Sequence, residues 1–155
     1  SAWLAARGLR IDAFDLSPVA VDKARSLAAE RGVQVDYAVA DIHALAWPHD
    51  MYDGIAAIFI QFAAPEQRAR LFAGMVDALK PGGTLVLQGY TPKQLEYKTG
   101  GPPFASHLYT EALLREAFAA LDITTLEAYE AEVDEGPGHH GHSALIGMVA
   151  RKRAA

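Results

Sequence analysis

The sequence predicts an α/β fold in which a doubly wound, mostly parallel sheet ends in an antiparallel hairpin. Two observations carry that expectation. Short apolar runs alternate with segments whose apolar residues recur at helical spacing, the pattern of parallel strands joined by right-handed helical crossovers. The last two strand-like stretches, Ile123 to Val133 and Ser143 to Arg151, are separated by a turn of glycine, proline and histidine, too short for a crossover, so they pair antiparallel.

Each element has its own signal. Ser1 to Arg7 is alanine-rich and stops at Gly8, as the last turns of a helix do. Leu9 to Phe14 is a compact apolar run reaching Asp15, a strand that feeds a helix capped by Ser17 with Pro18 in its first turn. That helix places Val21, Ala24, Leu27 and Ala28 on one face and stops at Gly32. From Val33 to Val39 apolar residues alternate with Gln34, Asp36 and Ala38, a strand running into Asp41. Ile55 to Ile60 is almost unbroken in its apolar character and reads as a central strand covered on both faces.

Pro65 and Glu66 open a helix with Leu71, Phe72, Met75, Val76 and Leu79 inward, ending at Lys80. Pro81, Gly82 and Gly83 make a turn before a strand at Thr84 to Gln88. Gly89 to Phe104 is a long loop rich in glycine and proline, and Thr110 caps a last helix with Leu113, Leu114, Ala117, Phe118 and Leu121 inward.

At 155 residues and 51% hydrophobic, the chain is long enough for one continuous core, and no linker or repeat divides residues 1–155, read here as a single domain. Nineteen acidic against 14 basic side chains leave a net charge of −5, which argues against nucleic acid as a partner. No run of about 18 apolar residues is present, so a membrane-spanning helix is not expected and a soluble, cytoplasmic protein is. The absence of cysteine excludes disulfides and thiolate chemistry. A small-molecule substrate fits best, with pairing into a homodimer left open.

Ligands of open parallel sheets lie beyond the carboxyl ends of the strands. This rule selects Asp15, with Leu16 and Ser17 beside it, then Asp41 with Ile42, Phe59 to Gln61, and Tyr90 with the loop beyond it. Asp15 can accept both hydroxyl hydrogens of a ribose, or act as a charge at a helix start. Asp41 can accept an adenine amine while Ile42 packs the ring, or bond its own turn. Tyr90, Lys93, Gln94 and Tyr97 stand where a substrate loop would, with Lys93 and Tyr97 as acceptor contacts and Tyr90 near the chemistry, or belong to a solvated loop stiffened by Pro92, Pro102 and Pro103. The run Glu135 to His142 returns to the same edge, so His139 or His140 is a candidate base, or else the run is simply a polar hairpin turn. A metal reading of His139, His140 and His142 with Glu135 is disfavoured, because adjacent turn histidines seldom converge on one ion, and no metal is expected. Trp3, Trp47, Phe72 and Met75 read as packing residues, and Arg151 to Arg153 as a solvated basic end.

The segments IDAFDLS, YAVADI, YDGIAAIFIQF, LKPGGTLVLQGY and the hairpin ending in ALIGMVARK resemble, in order and spacing, the successive motifs of class I S-adenosylmethionine-dependent methyltransferases. Small bacterial enzymes of the tellurite-resistance and thiopurine type are the subgroup most similar. The resemblance implies a Rossmann-like methyltransferase sheet with S-adenosylmethionine as cofactor. It implies that Asp15 binds the donor's ribose, Asp41 and Ile42 its adenine, and that Phe59 to Gln61 lie against the donor near its methionine portion. It also implies methyl transfer to a small-molecule oxygen, nitrogen or sulfur, for which Tyr90, His139 and His140, read from their places in the chain, are the catalytic candidates. The family's first strand and glycine loop are expected before Ser1, so the domain reads as incomplete at its amino end. Two alternatives stand beside this reading. An NAD(P)-dependent oxidoreductase shares Asp15 but does not explain the hairpin, and a non-catalytic binding or assembly module would pair through its open sheet.

Overall fold

The computed structural model describes residues 1–134 and 140–154. The chain forms two compact units, Ser1–Ala46 and Trp47–Ala155.

The first unit contains α1 (Ala2–Ala5), β1 (Asp12–Asp15), α2 (Pro18–Glu30) and β2 (Asp36–Val39). Ser17 caps α2 as expected, its Oγ accepting from the Ala20 N–H at 3.2 Å. β1 and β2 pair in parallel from Asp12 opposite Asp36 to Asp15 opposite Val39. Both strands are shorter than their apolar runs. Gly32 takes φ +63° and the Val33 N–H bonds back to the Ala28 carbonyl, so Val33 still belongs to the closure of α2 and β2 starts only at Asp36. Trp3 is 57% exposed rather than packed inside, with the Arg7 guanidinium 3.2 Å above its ring.

The second unit contains β3 (Tyr52–Ile58), α3 (Pro65–Ala78), β4 (Leu79–Tyr90), α4 (Gln94–Tyr97), a 3-10 turn at Ala105–His107, α5 (Glu111–Ala117), β5 (Leu121–Asp134) and β6 (His140–Lys152). The four strands lie in the order β3-β4-β6-β5. β3 and β4 are parallel, and β6 runs antiparallel to both β4 and β5, which gives the expected terminal hairpin. The registers set buried Ala57, Leu87 and Met148 side by side across β3, β4 and β6. Phe72 of α3 meets Phe118 at 4.6 Å and Tyr109 at 5.8 Å between ring centroids. Fully burying one such side chain contributes roughly 1.5–3 kcal/mol. Trp47 packs on Gly74, where a Cβ would come within 2.2 Å of the indole.

Three expectations need correction in this unit. The run Ile55 to Ile60 is not a covered central strand: β3 is an end strand of its sheet, and Ile58 is 45% exposed. It also ends two residues early, because Phe59 leaves the extended region. The turn at Pro81 to Gly83 is a bulge within β4, where the register jumps from Tyr52–Leu79 to Gly54–Thr84. Gly82 there has φ +78°, and a Cβ on Gly83 would lie 2.9 Å from the Lys80 carbonyl oxygen. The basic end is a clamp rather than a solvated tail. Lys152 Nζ donates to Asp50 Oδ1 at 2.9 Å and to the Leu79 carbonyl at 2.7 Å, closing the carboxyl end of α3. Arg151 Nε donates to the Gly82 carbonyl and Arg153 Nε to Asp122. The Lys152 hydrogen bond holds the Asp50 carboxyl below its usual range.

Candidate functional site

In the first unit the parallel register brings the ends of β1 and β2 together at one edge. Asp15 closes β1, and its carbonyl accepts from the Ala40 N–H at 3.0 Å, so the chain leading to Asp41 starts beside it. Asp15 Oδ1 accepts from the Ser17 N–H at 2.8 Å, and Asp41 Oδ1 accepts from the His43 N–H at 2.9 Å. Both bonds are local turns of the kind each aspartate forms with its own backbone. They also fix the two carboxylates in place. A carboxylate offers about four acceptor positions, so one bond each leaves capacity for a ligand's hydroxyl and amine hydrogens. Asp15, Leu16, Ser17 and Asp41 are exposed and Ile42 is half-buried.

In the second unit the carboxyl end of β3 is strained. Phe59 has φ +53°, a conformation that costs an ordinary side chain roughly 1–3 kcal/mol. Its N–H still donates to the Gln88 carbonyl at 2.8 Å, and its ring stacks on Tyr90 at 4.7 Å. Tyr90 is 1% exposed in a cluster with Leu108, Val133 and Leu145, so this candidate for catalysis is a core residue. Gln61 is likewise enclosed, at 3% exposure. Its Nε2 donates to the Tyr90 carbonyl at 2.8 Å and to the His107 carbonyl at 3.3 Å, while Oε1 accepts from the Tyr90 N–H. The amide is committed to holding the backbone after β4, a different role from the donor contact expected of it.

Beyond Tyr90, which pairs with Leu145, the hairpin of β5 and β6 continues past the end of β4. The segment after β4 takes the vacated place beside β6. The Thr91 N–H donates to the Ala144 carbonyl, and buried Gln94 accepts from the Ala144 N–H at 2.8 Å. Gln94 Nε2 donates to Thr99 Oγ1, which donates to the His142 carbonyl. This packing places α4 over the hairpin.

Lys93 and Tyr97 do come together, on a partner that sequence reading did not single out. Glu130 of β5 pairs with Lys93 Nζ, accepts from the Tyr97 hydroxyl at 2.7 Å, and lies 2.9 Å from His142 Nε2. His142 Nδ1 is 3.2 Å from Glu132 Oε1. Bonds from Lys93, then Tyr97, then His142 hold the Glu130 carboxyl down at about 2, and Glu130 in turn holds the Lys93 ammonium charged. Glu130, then Glu132, raises His142 above its ordinary 6.5. His140 Nδ1 lies 3.1 Å from Asp134 Oδ1. His139 lies outside the described residues. A usable signal for Glu130, Glu132 and Asp134 existed: alternate strand positions share a face, and three acids in that phase sit opposite a histidine-rich strand start.

A family model described as a methyltransferase domain matches residues 1–83. Among curated proteins, the biotin biosynthesis bifunctional protein BioHC of Teredinibacter turnerae is 33% identical over 89 residues, 56% of this chain and 15% of that protein. Among solved structures, TehB from Haemophilus influenzae matches with a TM-score of 0.79 at 18% identity, over 99% of this chain and 53% of its own. A SAM-dependent methyltransferase from Methanosarcina mazei matches with a TM-score of 0.79 at 17% identity, over 99% of this chain and 86% of its own. The chain therefore spans about half the length of TehB and a far smaller share of BioHC. At these identities the structural likeness is one of fold, the Rossmann-like sheet.

Proposed function

From the premise that the chain belongs to the methyltransferase-domain family, we propose that it transfers a methyl group from S-adenosylmethionine to a small-molecule oxygen, nitrogen or sulfur. The subgroup this favours, on its sequence motifs, is the small bacterial tellurite-resistance and thiopurine type. The observation that carries the reading is the pair of fixed carboxylates, Asp15 and Asp41, at one edge of the parallel pair β1 and β2. These residues fit a nucleoside. Asp15, beside the capped start of α2, accepts from the vicinal ribose hydroxyls, with Leu16 and Ser17 flanking them. Asp41 accepts from the exocyclic adenine amine, and Ile42 packs against the ring.

When bound, S-adenosylmethionine supplies a sulfonium-linked methyl group open to in-line displacement by an acceptor's lone pair. The chain's task is alignment and, for a protonated acceptor, removal of one proton. On its ring chemistry, His140 is the base proposed for the second task. Asp134 engages its Nδ1, leaving Nε2 as the nitrogen that takes a proton. His142 is not, since carboxylates engage both of its ring nitrogens.

The test is formation of S-adenosylhomocysteine by the intact protein from S-adenosylmethionine across a panel of small phenols, amines and thiols. Acceptor-dependent turnover that falls at least about tenfold in Asp41→Ala supports the reading. Turnover that Asp15→Ala and Asp41→Ala leave untouched removes these residues from the donor site.

A further inference from the structure

The hairpin overhang carries a charge arrangement, centred on Glu130 and His142, that the proposed methyl transfer does not use. Glu130, Glu132 and Asp134 alternate along β5, and the register sets Glu132 opposite His142 and Asp134 opposite His140. The other side of Glu130 is occupied by α4 and its cap, through Tyr97 and Lys93. His142 is faced by Glu130 and Glu132 from β5 and by the Tyr97 ring from α4 at 4.9 Å, edge-on, with Lys93 beyond Glu130 and His140 on its own strand.

Carboxylate oxygens have no hydrogen to give, so both ring nitrogens of His142 must donate, and only the imidazolium does that. With the imidazolium present, the charges of Lys93 and His142 balance those of Glu130 and Glu132. Without it, Glu130 and Glu132 face each other across a neutral ring with only Lys93, on the far side of Glu130, to offset them, and one His142 nitrogen turns a lone pair toward a carboxylate oxygen. The tie between hairpin and α4 then rests on Lys93 and Tyr97 alone.

We infer that Lys93, Tyr97, Glu130, Glu132 and His142 form a pH-sensitive latch that fastens the Thr91–Gly101 segment to the hairpin while His142 is charged and loosens it when His142 loses its proton. As control of acceptor access the latch rests on the function proposed above. As a conformational device it does not, because it is read without any methyl transfer.

The sign follows from linkage. Glu130 raises the folded-state value of His142 above 6.5, so the stabilisation is complete below 6.5 and disappears as pH rises through the folded value. The experiment is amide hydrogen exchange of Thr91 and Lys98, corrected for the intrinsic rate, in the intact protein from about pH 6 to about pH 9. Thr91 reports its bond to Ala144, and Lys98 the closing bond of α4 to Gln94. Protection should fall about threefold or more as pH rises, and His142→Gln should abolish that pH dependence. A second measurement, the imidazole titration of His142 by NMR, should give a value above 6.5 that drops in Glu130→Gln. The same exchange profile in wild type and His142→Gln, or an ordinary titration of His142, overturns the latch.

Discussion

Gln61 holds Tyr90 from both sides of its peptide backbone, donating to its carbonyl at 2.8 Å and accepting from its N–H at 2.6 Å. Gln61 stands just after β3 and Tyr90 at the end of β4, so one buried amide joins the ends of two parallel strands. Replacing it with Leu takes from the buried Tyr90 N–H its Gln61 acceptor, a loss costing about 1–3 kcal/mol, while the Tyr90 carbonyl keeps its bond from the Tyr109 N–H at 3.0 Å. Gln61→Leu should lower stability by roughly 1–3 kcal/mol in urea unfolding, with the midpoint shifting and the slope unchanged. A loss below about 0.5 kcal/mol contradicts the bracing role.

Tyr109 is fully enclosed, and its hydroxyl is the one buried side-chain polar atom among the described residues with no hydrogen-bond partner. Burial also pushes its ionisation far upward, so the phenol stays neutral across the accessible pH range. Tyr109→Phe removes an unsatisfied group without changing the ring's contacts with Phe72. It should raise stability by about 1 kcal/mol, or roughly 2–4 °C in melting temperature, measured by scanning calorimetry.

Phe59 occupies a left-handed conformation that Asn tolerates and β-branched residues resist. Both Phe59→Asn and Phe59→Val lose the stack on Tyr90, so their difference reports the backbone. Phe59→Val should be the less stable by about 1 kcal/mol, despite being the more apolar, in the same unfolding assay. The opposite order would mean that φ is not constrained there.

The parallel strands, the helix caps at Ser17 and Thr110 and the terminal hairpin were legible because each depends on local chemistry: alternation, a hydroxyl before a helix, a connection too short to cross over. The positions of Asp15 and Asp41 followed from the same rule, since strand direction alone puts them at one edge. Other features depend on partners distant in sequence. Tyr90 reads as a loop-proximal phenol until the neighbours Leu108, Val133 and Leu145 enclose it. Lys152 reads as a solvated terminal lysine until the carboxyl end of α3 arrives beside it. Likewise Lys93 and Tyr97 were recognisable as polar loop residues, but their common partner lies more than thirty residues away on β5. Run length also misled at Ile55 to Ile60, because an apolar strand can be covered on two faces or stand at the end of a sheet.

The Glu130 carboxyl, held at about 2 chiefly by Lys93 and then by Tyr97 and His142, should stay ionised well below the ordinary 4.5. Because the folded value is depressed, the contribution of this group is present above 4.5 and is lost as pH falls through about 2. An NMR titration of the side-chain carboxyl should find that low value in wild type and a higher one in Lys93→Met. A value near 4.5 in wild type contradicts the convergence of donors on Glu130.

Asp15 and Asp41 are proposed to hold the nucleoside of the methyl donor, and calorimetric titration of the intact protein with S-adenosylhomocysteine is the sharpest test of that role. Wild type should show saturable binding, weakened about tenfold or more by Asp15→Ala through loss of charge-assisted bonds to the ribose. Absence of binding in wild type, or equal affinity in Asp15→Ala, would contradict it.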